Sequence, residues 1–356
     1  MVLPPSDLPL YHAHLAGGAR FGDRRGQPVV ASYGDAAGEY EAARGGAAAV
    51  DLPLRAVLEA SGPSRQKFLQ GMLSHDVAGR RPGEGCRAAL LTAKGAVQAL
   101  VRALADENIV VLETDSDRVG LLQSVLEHHR VAAPVRFAVR PTAVLALLGP
   151  GAAGVLRAAG ASSLPAEPEA HRVVTIAAHP VRVVRAGDLP GGGFALHAAP
   201  EAAAAVWQAL LSAGARPAGL DALDTRRVEM LRPWYGADVT EENLLHETGL
   251  VAECHSPTKG CYLGQEVVAR LEARGGHVNK ALRGLRLSAP AAPGAPVTAD
   301  GKEVGRVTTA AVSPRLGPIA LGYVHRSHFA AGTAVEAGGA RATVVTSFED
   351  AAPSRE

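Results

Sequence analysis

The sequence predicts an α+β protein that ends in a small β-barrel, and three observations carry that expectation. Strand-like and helix-like segments succeed one another through residues 1–278 without the strict alternation of a doubly wound sheet. Beyond Lys280 the texture changes to short strands separated by Gly- and Pro-rich turns, the pattern of a barrel. The chain has 356 residues, long for one core, so two or three domains are expected.

Composition narrows the class. Hydrophobic residues make up 47% and charged residues 20%, ordinary for a soluble globular protein. A net charge of +1 gives no general pull toward nucleic acid or an anionic membrane, so neither is expected as a direct partner. Three cysteines, Cys86, Cys254 and Cys261, form no disulfide framework, and a cytoplasmic location fits. Met1 to Leu15 lacks the basic segment and apolar core of a signal peptide. The most apolar run, Ala143 to Leu156, is broken by Gly149-Pro150-Gly151 before it reaches membrane length.

The elements follow in order. Tyr11-His12-Ala13-His14 reads as an exposed or substrate-facing loop; a third metal ligand is not in view. Gly45 to Asp51 is a turn entering a strand. Ala56 to Ala60 is a strand ended by Ser61-Gly62-Pro63, and Ser64 caps a helix carrying Phe68, Leu69 and Met72. Ser74-His75-Asp76 is a helix end or loop, since adjacent residues cannot face one another as a catalytic triad does. Cys86 to Leu91 and Val97 to Leu104 pair across Thr92-Ala93-Lys94-Gly95, and Ile109 to Leu112 adds a strand. Asp115 to His128 is a helix with Val119, Leu122, Val125 and Leu126 on one face. Val131 to Arg140 and Ala143 to Leu148 are strand-like. A second round follows: a helix over Pro150 to Ala159, strands over Arg172 to Ala178, Val181 to Ala186 and Phe194 to His197, and an amphipathic helix over Pro200 to Ala213. The barrel strands are expected at Leu282 to Leu287, Gly305 to Thr309, Ile319 to Val324, Thr333 to Val335 and Ala342 to Thr346, with Ser347 to Glu356 as a frayed tail.

The most informative stretch is Lys259-Gly260-Cys261-Tyr262-Leu263-Gly264-Gln265-Glu266-Val267-Val268-Ala269-Arg270. Val267, Val268 and Leu271 make the inward stripe of a helix starting near Gly264. Cys261 therefore precedes a helix N-terminus, whose partial positive charge, with Lys259 nearby, favours a thiolate. The opposing reading is a buried, inert cysteine on a tight turn.

Lys-Gly-Cys-Tyr-x-Gly-Gln-Glu resembles the signature of the YgfZ-type folate-binding proteins, relatives of the glycine-cleavage T-protein, an aminomethyltransferase. The resemblance extends along nearly the whole chain. It takes in Gly62-Pro63 to Asp76-Val77, Gly149-Pro150, Asp224-Thr225-Arg226-Arg227-Val228-Glu229, Tyr235-Gly236 with Asp238, Glu247-Thr248-Gly249-Leu250, Gly305 to Thr309 and Ile319 to Gly322. It implies a T-protein-like fold of three domains in a ring around a folate cleft. The first two would be interleaved, about 1–50 with 137–225 and 51–136 with 226–278, and 279–356 would form the barrel. It further implies tetrahydrofolate or another reduced folate as cofactor, and iron–sulfur enzymes or assembly proteins as partners, among them a tRNA-modifying methylthiotransferase. Cys261 would be the functional thiol, with Arg227, Glu229, Tyr235, Lys259, Tyr262, Gln265 and Glu266 around the folate.

Two departures separate the branches. T-protein carries an Asp-Asp pair on the strand after the Lys/Ser-Gly turn, and one Asp is needed for methylene transfer; the matching positions are Ala99 and Leu100. The T-protein glutamate that contacts the pterin is matched by Gly191. Losing a carboxylate that orients an amine and moves a proton should cost orders of magnitude in rate. The expected activity is thus a folate-binding accessory role in cluster assembly or repair, with a one-carbon transferase as the rival enzyme and a folate-free scaffold as a third reading.

Alternatives stay open at single residues. Arg227 could bind folate or pair internally with Glu229 or Asp224. Trp234 and Tyr235 could stack on a pterin or pack in a core. Glu266 and Arg270 fit an i,i+4 salt bridge. Cys254-His255 with Cys261 and His277 could hold a metal, although the cysteine spacing is wide for zinc, and no metal is expected.

Overall fold

The computed structural model describes residues 5–349. Most of the expected tail, residues 350–356, and the first four residues lie outside them. The chain divides into two units: Met1–Thr92, Gln98–Leu223 and Ala252–Leu263 form the first, and Ala93–Val97, Asp224–Val251 and Gly264–Glu356 the second.

In chain order the first unit begins with α1 (Tyr11–Ala16), β1 (Arg20–Arg24), β2 (Gln27–Ser32), α2 (Ala36–Gly45), β3 (Ala48–Asp51), β4 (Arg55–Ser61), α3 (Arg65–Met72), β5 (Gly85–Leu91), β6 (Val97–Ala105), β7 (Ile109–Asp115), α4 (Val119–His129) and β8 (Arg136–Arg140). It continues through β9 (Ala143–Leu148), α5 (Ala152–Ala158), β10 (His171–Ile176), β11 (His179–Arg185), β12 (Phe194–Ala198), α6 (Ala203–Ser212) and β13 (Arg216–Pro217). Then α7 (Leu220–Glu229) leads into the second unit and α8 (Val251–Cys254) back to the first.

Two sheets organise the first unit. One has the order β10-β11-β12-β9-β3-β13, the other β5-β6-β7-β4-β8. The first buries Leu145, Leu147, Val181, Val183 and Leu196 against α6, whose Ala203, Val206, Trp207 and Leu210 recur at helical spacing. The second buries Leu58, Leu112 and Val101 against Leu69 of α3 and Leu122 and Leu126 of α4.

Two sequence expectations fail here for electrostatic reasons. The segment of His12 and His14 is a helix, not a loop, and His14 is fully buried. Its ring nitrogens reach Asp51 Oδ2 at 2.9 Å and the Tyr33 hydroxyl at 2.7 Å. The helix expected from Asp115 starts at Val119 instead, because Asp115 stays on β7, where Arg55 stands opposite it and bonds its carboxylate at 3.1 Å.

In the second unit, α9 (Gln265–Ala273) precedes β14 (Lys280–Leu287), β15 (Pro296–Ala299), β16 (Lys302–Ser313), β17 (Gly317–His325), β18 (Ala334–Ala337) and β19 (Ala340–Val345). The strands close in the order β14-β17-β16-β15-β18-β19 around Leu285, Val297, Val307, Ala320, Val324 and Val344. β15 was not expected from the sequence; its four residues include one proline and only one fully buried side chain, Val297. Phe348, assigned to the tail, is buried with Val228 of α7, Leu282, Ile319 and Tyr323. No helix among the described residues is long and apolar enough to cross a membrane.

Candidate functional site

The chain from α8 to α9 carries the signature, and it is held at the C-terminal end of α3. Backbone bonds run from Ser256 N to Ser74 O at 3.2 Å and from Leu263 N to Gly71 O at 3.1 Å. The buried Ser74 hydroxyl donates to Cys254 O and accepts from Ala89 N. Lys259 Nζ donates to Gln70 O at 2.6 Å and to Leu73 O, and it lies 4.5 Å from the centre of the Tyr262 ring. A helix end leaves its last carbonyls without partners and partly negative, so an ammonium there satisfies both needs. Burial lowers the Lys259 amine to about 8. Lys259 thus fastens the loop through two carbonyls and a ring.

Of the three free cysteines, Cys261 is the exposed one. Burial pushes the Cys86 thiol up to about 12 and the Cys254 thiol up to about 11. A partner or oxidant can therefore reach Cys261 without opening a core.

The signature passes from the first unit to the second between Leu263 and Gly264. Gly264 takes φ 81° immediately before α9, as expected from a glycine at that point. Val268 is buried, and Val267 packs on Gly95, where an added Cβ would sit 2.8 Å from the valine Cβ. Gln265 is half-buried and Glu266 exposed. Glu266 and Arg270 form no ion pair among the described residues; both side chains stay in water, where such a bridge is weak.

Arg227, Glu229 and Tyr235 are occupied inside the second unit. Arg227 is 2% exposed and bonds Asp224 at 2.6 Å, Asp238 at 2.5 Å and the Thr309 hydroxyl at 2.9 Å. The internal reading holds for it, with Asp238 in place of Glu229. Glu229 accepts from Arg226 and the Ser313 hydroxyl. The Tyr235 hydroxyl donates to Val97 O at 3.3 Å, and the half-buried Trp234 lies under the Arg227 guanidinium, 5.3 Å from its ring centre.

A larger charged cluster escaped the sequence reading. On β6, Ala99, Val101 and Ala103 face the core, which puts Leu100 and Arg102 on the opposite face. Arg102, 3% exposed, bonds Glu113 directly across on β7, Glu169 at 2.6 Å, and Asp188. Arg55 reaches Glu113 at 2.8 Å, and His197 Nε2 lies 2.8 Å from the same carboxylate. Burial would raise Glu113, but the two guanidiniums outweigh it and hold it well below the ordinary range. Charges inside mostly apolar strands, Arg102 in Val97–Ala105 and Glu113 and Asp115 at alternate positions of Ile109–Asp115, were the available signal.

Ala99 and Leu100 are both buried within this frame. This strand thus carries two alkyl groups side by side, one toward the core and one toward the ion network.

Two large sheets and the small β1–β2 sheet in one unit and a closed six-stranded barrel in the other define a two-part α+β protein. The sequence matches the GCVT N-terminal domain over residues 10–256 and the glycine cleavage T-protein C-terminal barrel domain over residues 280–347, and the chain belongs to this T-protein family. It is 31% identical over 322 residues to the aminomethyltransferase of Rubrobacter xylanophilus, covering 89% of this chain and 86% of the relative. It is 32% identical over 327 residues to that of Thermus thermophilus, covering 89% and 90%. In fold it is similar to the glycine cleavage system aminomethyltransferase T from Bartonella henselae, with a TM-score of 0.87, 24% identity and 96% of each chain covered.

Proposed function

We propose that this chain is a reduced-folate-binding accessory protein of the T-protein family, with Cys261 as its working thiol in the assembly or repair of iron–sulfur enzymes in the cytoplasm. The observation that carries the reading is that Ala99 and Leu100 are buried and apolar, at the positions where the resemblance implies the acids of the transferases. Neither side chain can orient an amine or accept its proton. The exposure of Cys261 on a fastened loop supports a role for the thiol.

The residues fit tetrahydrofolate in part. The 2-amino-4-oxo edge of a pterin presents adjacent donors that a carboxylate matches, and Glu266 is an exposed carboxylate beside the half-buried Gln265. Arg227, Glu229 and Tyr235 are engaged in bonds inside the second unit, so within that unit Gln265 and Glu266 are the candidates left of the expected set. The three-domain division implied by the resemblance is part of the same proposal.

The names of the relatives favour a second reading, a one-carbon transferase in which another group replaces the missing acid. Anaerobic calorimetric titration of the reduced protein with tetrahydrofolate, followed by a methylamine turnover assay, separates the two. Saturable binding without turnover supports the accessory role. Turnover establishes the transferase, and absence of binding removes both.

A further inference from the structure

The second unit contains a cavity of about 640 Å³ between the start of β14, the end of β17 and the turn after α9. Its walls include Arg283, Arg326, Phe329, His277 and Glu247. Small-molecule sites commonly run from roughly 300 to 1,000 Å³, so the space exceeds what an isolated ion needs.

The charges of the wall are unbalanced. Arg283 is half-buried and burial lowers its affinity for the proton. Its Nε and Nη1 donate to the carbonyls of Phe329 at 3.0 Å and Leu282 at 2.9 Å, and its guanidinium lies 4.6 Å from the Phe329 ring centre. No carboxylate among the described residues pairs with Arg283 or with Arg326. Glu247 is the one acidic residue of the wall, and it is already matched. It accepts from Leu244 N at 3.1 Å, and Lys280 Nζ lies 3.9 Å away. Elsewhere in this unit a buried guanidinium has carboxylates: Arg227 has two. A partly desolvated arginine facing open space with only carbonyls for company lacks the counter-charge that its burial calls for.

We infer that this cavity binds the oxyanion of a small organic molecule, a phosphate or a carboxylate, between Arg283 and Arg326 with the Phe329 ring as its apolar wall. The site lies wholly within the second unit and does not depend on the folate reading.

Inorganic phosphate and glutarate are the probes, each titrated calorimetrically into the full chain at constant ionic strength, with R326Q and R283Q in parallel. The expected result is saturable binding of at least one probe, with Kd of about 1 mM or tighter, weakened at least tenfold in R326Q. Binding of phosphate alone or of glutarate alone identifies which oxyanion chemistry is preferred. R326Q changes an exposed side chain, so it remains a valid test if R283Q fails to fold; R283K then reports whether charge alone suffices. No saturable binding of either probe to the native protein, or binding unchanged in R326Q, overturns the inference.

Discussion

Lys259 caps the end of α3 through Gln70, its ammonium 2.6 Å from that carbonyl oxygen although the two residues are 189 positions apart. The amine is lowered from its ordinary 10.5 to about 8, first by burial. Between those values the unfolded chain binds more protons than the native one, so this group makes stability rise with pH across the window and fall as pH drops toward 8. The buried Cys86 and Cys254 thiols act oppositely above about pH 9, because the native state keeps their protons. The difference between native protein and K259M therefore isolates the lysine. Urea midpoints at several pH values from 7.5 to 10.5 should separate steadily in favour of the native protein as pH rises; parallel curves would show that burial does not lower the Lys259 amine.

Accessibility of the thiols follows from the same loop. A maleimide should label one cysteine of the native protein quickly and all three after denaturation. C261A should lose the fast site, keep its melting temperature and folate affinity, and fail to restore the activity of cluster enzymes in a strain lacking the protein. Full restoration by C261A would remove the thiol from the proposal.

Arg227 serves stability through Asp224 and Asp238. R227M leaves two carboxylates facing a lost charge, one of them fully buried, and should cost ~3–5 kcal/mol in denaturant unfolding. The double variant R227M/D238L should recover part of that loss, since the buried Asp238 then no longer lacks its partner.

Gly95 and Gly120 give a steric contrast. Gly95 has φ 78° and no room toward Val267, so G95A should destabilise by ~1–3 kcal/mol. Gly120 lies in α4 with open space where a Cβ would go, and G120A should be neutral or stabilise by ~0.5–1 kcal/mol. Thermal melts of both variants read the difference directly.

Periodicity carried much of the fold. The stripe of Val206, Trp207 and Leu210, the strand pair around Lys94-Gly95 and every strand after Lys280 except β15 lie where local pattern placed them. Long-range electrostatics escaped it. Arg102 meets Glu113, Glu169 and Asp188, which come from three separate segments, and no local rule pairs them. The same holds for His14 with Asp51, and for Arg227 with Asp238 across 11 residues. At the site, the motif gave the start of α9 and left Cys261 open between a reactive and a buried cysteine; the structure exposes it. The motif could not reveal that the lysine beside that cysteine faces α3, because α3 lies almost 190 residues upstream in sequence.

The ring of β14, β17, β16, β15, β18 and β19 has no first or last strand. Its backbone hydrogen bonding is spent on itself, so an extended peptide cannot join this barrel by lengthening its sheet. The two large sheets of the first unit, by contrast, end in β5 and β8, and in β10 and β13. A client that docks on the barrel must therefore be read by side chains alone, and its recognition should be sensitive to point substitutions in a way that main-chain pairing is not.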